Sequence, residues 1–205
     1  MTRTQRLAKR LFDLVLAVLL TPLVAVLFLF TLITVMIFEK RPYFYAAERM
    51  KTPTQSFRLL KFRTMEVAQG DSGVSGAHKQ QRITRMGRIM RKTRADELPQ
   101  FWNIYRGDIS FVGPRPPLRE YVERFPELYS EVLKTPPGVT GLASLCFNKH
   151  EGWILGQCAT ATEVDAAYAC RCVPTKAKLD LIYQKHMSIC FDLVLIWRTF
   201  KSVFG

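Results

Sequence analysis

Residues 94–116 read RADELPQFWNIYRGDISFVGPRP. Two adjacent carboxylates, Asp96 and Glu97, lie among Arg88, Arg91, Lys92, Arg94, Arg106 and Arg115, a combination suited to handling an anion. Pro99 has no backbone donor and is tolerated only in a helix's first turn, so the spacing predicts a helix that begins near Asp96 and runs through Phe101, Trp102 and Tyr105. That places both carboxylates at the positive end of the helix dipole, where a carboxylate is held ionised. Arg106-Gly-Asp-Ile reads as a turn into a short apolar strand, Ile109 to Val112, which ends at Gly113, Pro114, Arg115 and Pro116. The prolines stiffen the backbone around Arg115, whose planar fork matches a phosphate. On spacing alone, a capping Asp96, a surface ion pair at Glu97 and a merely stiff turn fit equally well.

Toward the N-terminus, residues 42–65 carry aromatic and alternating patterns broken by Lys51-Thr-Pro-Thr, which predicts a short hairpin. Lys61 and Arg63 fall on one strand face, opposite Phe62, as anion contacts or as solvated cations. Glu66 to Lys79 is polar, with Gly70, Gly73 and Gly76 in no nucleotide-cradle pattern, and reads as a mobile loop. Ile83, Met86, Ile89 and Met90 recur at helical spacing and leave Arg82, Arg85, Arg88, Arg91 and Lys92 elsewhere, giving an amphipathic basic helix. Its cationic side suits anionic head groups or delivers Arg88 or Arg91 to the site.

The stretch from Leu11 to Phe38 is apolar except for Asp13 and exceeds the roughly 20 residues that cross a bilayer. Basic residues flank both ends: Arg3, Arg6, Lys9 and Arg10 before it, and Lys40, Arg41, Arg49 and Lys51 after it. Positive flanks favour the cytoplasmic side, so a helix with both ends held there must enter and return. Thr21-Pro22 supplies the bend, since proline removes a helical hydrogen bond and the threonine hydroxyl can satisfy a freed carbonyl. A kinked single span is the alternative. Asp13, just inside the run, is expected to pair with Lys9 or Arg10 or to stay solvated.

The formal net charge is +13 over 205 residues. Such a balance suits nucleic acid, an anionic membrane or phosphorylated substrates. The apolar stretch and the lack of a zinc-finger, RNP or helix-turn-helix pattern argue for membrane plus phosphate and against nucleic acid. Five cysteines, Cys146, Cys158, Cys170, Cys172 and Cys190, lack both a disulfide framework and paired metal-ligand spacing, so ordinary thiols are expected rather than a zinc site. Residues 117–134 read as one further helix. Residues 146–176 are either a sugar-selecting segment or a plain insertion. Met187 to Trp197 is too short to span, and suits the membrane interface or the core.

The run DELPQFWNIYRGDISFVGPRP, with KRLFD at 9–13, KFRTM at 61–65, PPGVTGLA at 136–143 and Leu179-Asp180 with Tyr183, resembles the bacterial sugar transferases called monotopic phosphoglycosyl transferases. The resemblance implies an α+β, mainly helical monotopic membrane protein. It would have a re-entrant helix at 1–40 and a catalytic domain at 41–205, with a small β-hairpin and amphipathic interfacial helices around the site. It implies transfer of a sugar phosphate from a UDP-sugar to undecaprenyl (polyprenol) phosphate at the cytoplasmic face of the bacterial inner membrane. Asp96 would be the nucleophile and Glu97 would hold Mg2+ or orient the incoming groups, with Asp96 beside the same ion. Lys61, Arg63, Arg88, Arg91, Gly113, Pro114, Arg115 and Pro116 would bind substrate, with Arg91 favoured over Arg88. A lipid phosphatase and a non-catalytic basic membrane scaffold are the rival functions. The sugar, the pathway and the oligomeric state are left open.

Overall fold

A computed structural model describes residues 3–66 and 82–204. Of the polar loop expected over Glu66 to Lys79, all but Glu66 lies outside the described residues. The chain is mainly helical, with two small two-stranded sheets. Its first element, α1 (Arg3–Phe38), is one helix of 36 residues containing Pro22. At about 1.5 Å per residue it is roughly 54 Å long, well beyond the roughly 30 Å of a bilayer's hydrocarbon. Leu19, Leu23, Val26, Phe30 and Ile37 are among the many apolar side chains it leaves exposed.

Both halves of α1 dock on the rest of the molecule. Before Pro22, the Arg10 guanidinium donates to the carbonyls of Ile104 (2.6 Å) and Tyr105 (2.7 Å), satisfying the end of helix α3 described below. Asp13 pairs with neither Lys9 nor Arg10. It is buried, and one carboxylate oxygen accepts from Ser110 Oγ at 2.9 Å and from the Phe111 amide at 3.3 Å. Lys9 reaches across the fold instead, to Asp192 at 2.6 Å. After Pro22, Phe28 packs on Phe44 and Phe62, while Val35 joins Phe62 and Met90 in a small core. The Thr21 hydroxyl bonds the Ala17 carbonyl at 2.7 Å and also meets the Tyr105 hydroxyl. The carbonyl that Pro22 frees is that of Val18, four residues before the proline, so Thr21 does not satisfy it as expected.

The expected hairpin forms, with β1 (Phe44–Met50) antiparallel to β2 (Ser56–Phe62). Phe57 and Leu59 on β2 join the main core with Ala17, Ile104, Val112, Tyr183 and Leu195. Continuing along that strand face at period two brings Lys61 and then Arg63 out at the hairpin's open end. Helix α2 (Arg85–Thr93) follows, its first turn capped by Thr84 Oγ1, which accepts from the Gly87 amide at 2.9 Å. Its inward residues are Gly87 and Met90, whereas Ile89 is exposed and Ile83 bridges Met65 outside the helix. A Cβ on Gly87 would sit 2.2 Å from the Thr64 carbonyl oxygen, so only glycine lets α2 lie this close to β2's end.

Asp96 does not open a helix. It lies in a one-turn 3-10 segment, Ala95–Glu97, entered through Arg94 in the left-handed region (φ 60°), and α3 (Gln100–Arg106) starts only after Pro99. The strand expected at 109–112 is β3 (Ser110–Val112), and it pairs in parallel with β4 (Gly138–Thr140), a partnership not foreseen. The helix expected over 117–134 is two, α4 (Arg119–Arg124) and α5 (Pro126–Val132). Pro126 cannot continue α4 but suits a first turn. The remainder is α6 (Leu142–Gly156), α7 (Ala161–Ala167), a π-helical turn at Tyr168–Cys172, α8 (Val173–His186) and α9 (Ile189–Phe204). α9 buries Asp192 and Leu195 and exposes Leu193, Val194, Trp197 and Phe200, so it is both core and apolar surface.

Candidate active site

The 3-10 turn, α2, the hairpin and the loop after β3 converge on a cleft of about 350 Å³. Asp96 and Glu97 line it, with Lys61 from β2, Arg63 just past the end of that strand, Arg91 from α2 and Arg115 from the Gly-Pro-Arg-Pro loop. Six of the expected site residues therefore meet. Arg49 and Arg94 join them, giving six cations against three carboxylates, Glu66 being the third. Arg49 was expected only as a membrane flank. The signal for its position is the strand alternation, since Tyr45, Ala47 and Arg49 share one face of β1 and all line the cleft.

The two adjacent carboxylates have opposite surroundings. Glu97 Oε1 is 3.1 Å from Lys61 Nζ, 3.5 Å from Arg94 Nη1 and 3.5 Å from Arg115 Nη2. Burial alone would raise its pKa, but Lys61, Arg115 and Arg94 outweigh burial and hold it at about 2. Asp96 is pushed above the ordinary carboxylate value, first by burial and then by the charge of Glu97, against the pull of Lys61, Arg91 and Arg94. The helix-dipole expectation is thus replaced. α3 is short and begins after Pro99, and the charge balance at Asp96 is set by desolvation and cations.

Asp96 Oδ1 is buried and has no hydrogen-bond partner among the described residues, and neither has the buried Nε of Arg63. Arg91 is held in place, its Nε donating to Thr64 Oγ1 at 2.8 Å. The cleft thus holds an unpaired acceptor on a carboxylate and an excess of guanidinium groups, an arrangement that a polyanion would complete.

Four expected substrate contacts fall elsewhere. Arg88 is exposed on α2 and does not line the cleft, whereas Arg91, its neighbour one turn further along the same helix face, is partly buried and does. Gly113 and Pro114 are buried scaffold. A Cβ on Gly113 would lie 2.2 Å from the Pro136 carbonyl oxygen, so its role is to let the β3 and β4 backbones cross closely. Pro116 borders a second, adjoining cavity.

That second cavity, about 400 Å³, shares Arg49, Arg91, Arg94 and Arg115 with the first and is walled largely by residues 144–180. The 146–176 segment is therefore no detached insertion. It has its own small core of Phe147, Ile154, Leu155, Val164 and Cys172, and it places Asn148, Glu151 and Lys176 on the cavity, with Lys176 and Glu151 paired at 2.9 Å. Asp180 also lines it, with a buried Oδ1 that has no partner, and burial raises its carboxyl to about 7 despite Lys176.

Because that pKa is raised on folding, the native state holds a proton that the unfolded chain has released above the ordinary aspartate value of 3.8. Stability contributed by the protonated form is thus lost as pH rises from about 4 toward about 7, by at most about 4 kcal/mol. Asp180→Asn is expected to raise the melting temperature at pH 8 and leave it nearly unchanged at pH 4. Equal shifts at both pH values would contradict the buried protonated carboxyl.

All five cysteines are free thiols, with Cys172 buried. Among the described residues no group of three or more His, Cys, Asp or Glu side chains could hold a metal. For the expected Mg2+ the described residues of the cleft offer the adjacent Asp96 and Glu97, with Glu66 also on its wall, and Glu97 Oε1 already faces three cations. The donor set does not make a cage. It fits Mg2+ in the shared form, in which one or two carboxylates act together with substrate phosphate oxygens and water.

The profile of the family described as "Bacterial sugar transferase" matches residues 4–205. A curated relative in Bacillus subtilis, "Uncharacterized sugar transferase EpsL", is 34% identical over 195 residues, covering 95% of this chain and 86% of that protein. The "UDP-N-acetylgalactosamine-undecaprenyl-phosphate N-acetylgalactosaminephosphotransferase" of Aeromonas hydrophila is 30% identical, over 95% of this chain but only 43% of its own length. The "UDP-glucose:undecaprenyl-phosphate glucose-1-phosphate transferase" of Klebsiella pneumoniae is 31% identical over 93% and 39% respectively. The chain thus spans less than half of the last two relatives.

Proposed function

The chain belongs to the bacterial sugar transferase family, and from that premise we propose that it moves a sugar 1-phosphate from a UDP-sugar to undecaprenyl phosphate. The observation that carries this is the buried, unpartnered Asp96 carboxylate facing a cluster of cations in one cleft. The donor's diphosphate lies among Arg49, Arg91, Arg94 and Arg115, whose guanidinium groups are the ones shared by both cavities. Asp96 attacks the sugar-bearing phosphorus and forms an acyl phosphate, while the bond to UMP breaks and UMP leaves with the electron pair. A phosphate oxygen of the lipid then attacks the same phosphorus, and Asp96 departs as a carboxylate, giving the polyprenyl diphosphate sugar.

Asp96 is fit for both steps. Its raised pKa makes it a better nucleophile than an ordinary aspartate, and the arginines that offset charge on the phosphorus are already oriented by Thr64 and Glu97. Glu97 keeps its charge to very low pH and holds Lys61, Arg94 and Arg115 around the cleft. Mg2+, when bound, would be held by Asp96 and Glu97 with diphosphate oxygens and would offset charge on them.

The activity is tested by incubating detergent-purified protein with a panel of UDP-sugars and Mg2+, with and without undecaprenyl phosphate. Lipid-dependent UMP release with one or a few sugars, together with a sugar-diphospholipid product, is expected. Release of sugar phosphate to water alone would favour a phosphatase.

We also propose that α1 enters the cytoplasmic leaflet and returns, bent at Thr21-Pro22, because residues on both sides of Pro22 hold the same body and the residues between are apolar and exposed. Labelling reporters at the N-terminus and beside Lys40 should find both on the cytoplasmic side. Opposite sides would mean a spanning helix.

A further inference from the structure

Between α3 and α9 runs a groove of about 270 Å³ whose lining is almost wholly apolar, contributed by Leu98, Phe101, Phe111, Val139, Ile196 and Val203 among others. Two of its polar side chains are spoken for: Thr140 and Thr199 bond each other at 2.7 Å, and Thr199 also donates to the Leu195 carbonyl. One end of the groove is different. It is closed by Arg94, Glu97 and Arg115, three residues that also line the charged cleft. An apolar channel that opens onto guanidinium groups matches a ligand with a hydrocarbon body and an anionic head.

The groove also meets exposed apolar surface. Phe200, at the groove's rim, stacks on Trp197 with ring centroids 6.0 Å apart, and Trp197, Val194 and Leu193 continue as exposed apolar surface along α9. α9 is bound to the apolar helix α1 through the buried Lys9–Asp192 pair and through Leu195, which shares a core with Ala17. Exposed apolar side chains of α1 and α9 thus lie near the groove, with the exposed cations Arg198 and Lys201 also on α9.

We propose that this groove seats the phosphate-proximal isoprenoid units of the acceptor lipid and delivers its phosphate to Arg94 and Arg115, beside Asp96. The proposal rests on the reading of the protein as a polyprenol-phosphate transferase and names the acceptor's path. The groove is too small for the whole chain, so the distal units stay in the bilayer. The nucleotide donor uses the charged cleft and does not touch the groove's apolar wall.

Val203→Trp narrows the groove from near the end of α9, and Phe200→Ala removes its rim. Binding of undecaprenyl phosphate, undecaprenol, inorganic phosphate and UDP to the detergent-solubilised full chain is compared by native mass spectrometry, with melting temperatures recorded. Undecaprenyl phosphate is expected to bind better than undecaprenol, and to weaken about tenfold in Val203→Trp and several-fold in Phe200→Ala. UDP and inorganic phosphate should change less than about twofold in both variants, consistent with a defect confined to the tail.

Unchanged undecaprenyl phosphate binding in a variant that keeps its melting temperature overturns the proposal, as does an equal loss of UDP binding. Should Val203→Trp fail to fold, Phe200→Ala carries the test, since that side chain is half exposed. Groove-dependent lipid binding without any UMP release would instead reject the transferase activity and leave the lipid site standing.

Discussion

Asp96→Asn is expected to abolish lipid-dependent UMP release, by about a thousandfold or more, while raising the melting temperature. The first effect follows from removing the nucleophile. The second follows from its surroundings: the Asp96 carboxylate is buried, repelled by Glu97 and, among the described residues, left with an unpartnered oxygen, so its charge costs stability.

The same isosteric change one residue on should act in the opposite sense on the fold. Glu97→Gln leaves Lys61, Arg94 and Arg115 without their common partner and is expected to destabilise, by about 3 kcal/mol at neutral pH. The stability that Glu97 contributes is present above the unfolded glutamate's pKa and is lost as pH falls from about 4.5 toward about 2. Activity measured against pH should fall on the acid side as Asp96 takes up a proton, above the range of an ordinary aspartate. A stable Asp96→Asn protein that still released UMP would reject the covalent mechanism. An Asp96→Asn protein that unfolded would mark the residue as structural.

Lys9→Met carries the largest expected stability loss, about 3 to 5 kcal/mol, or roughly 10 °C in melting temperature for a chain of this size. Lys9 Nζ lies 2.6 Å from Asp192, and the two side chains are 5% and 2% exposed. Asp192 also accepts from the Tyr183 hydroxyl at 2.6 Å, so it would remain buried as an anion with one neutral partner. Adding Asp192→Asn removes that charge and keeps an acceptor for Tyr183, and should recover at least half of the loss. A Lys9→Met loss below about 1 kcal/mol would mean that the pair is solvated and that α1 is tied to α9 by packing alone.

Much of the site was legible from the sequence because it is made of local units. Asp96 and Glu97 are adjacent, Arg115 is fixed by flanking prolines, and Lys61 and Arg63 follow strand alternation, so their coming together needed only the order of the motifs. The errors were where a local rule met a tertiary competitor. Asp13 was expected to find a cation within its own helix, but Ser110 and the Phe111 amide, nearly a hundred residues away, take its oxygen. Pro99 did signal the start of a helix, but that helix begins only at Gln100, and the carboxylates lie before it in a separate 3-10 turn entered through Arg94.

By itself the sequence determined the apolar helix α1, the hairpin, the basic α2 and the carboxylate pair with its arginines, because periodicity, proline geometry and charge act within a few residues. Only the tertiary structure decided that Arg49 enters the cleft and Arg88 does not, and that residues 144–180 wall a second cavity. It also decided that Asp96 and Glu97 titrate in opposite directions. Those outcomes depend on burial and on distances between segments remote in the chain. A carboxylate's pKa follows from how much water it loses and which cations replace that water.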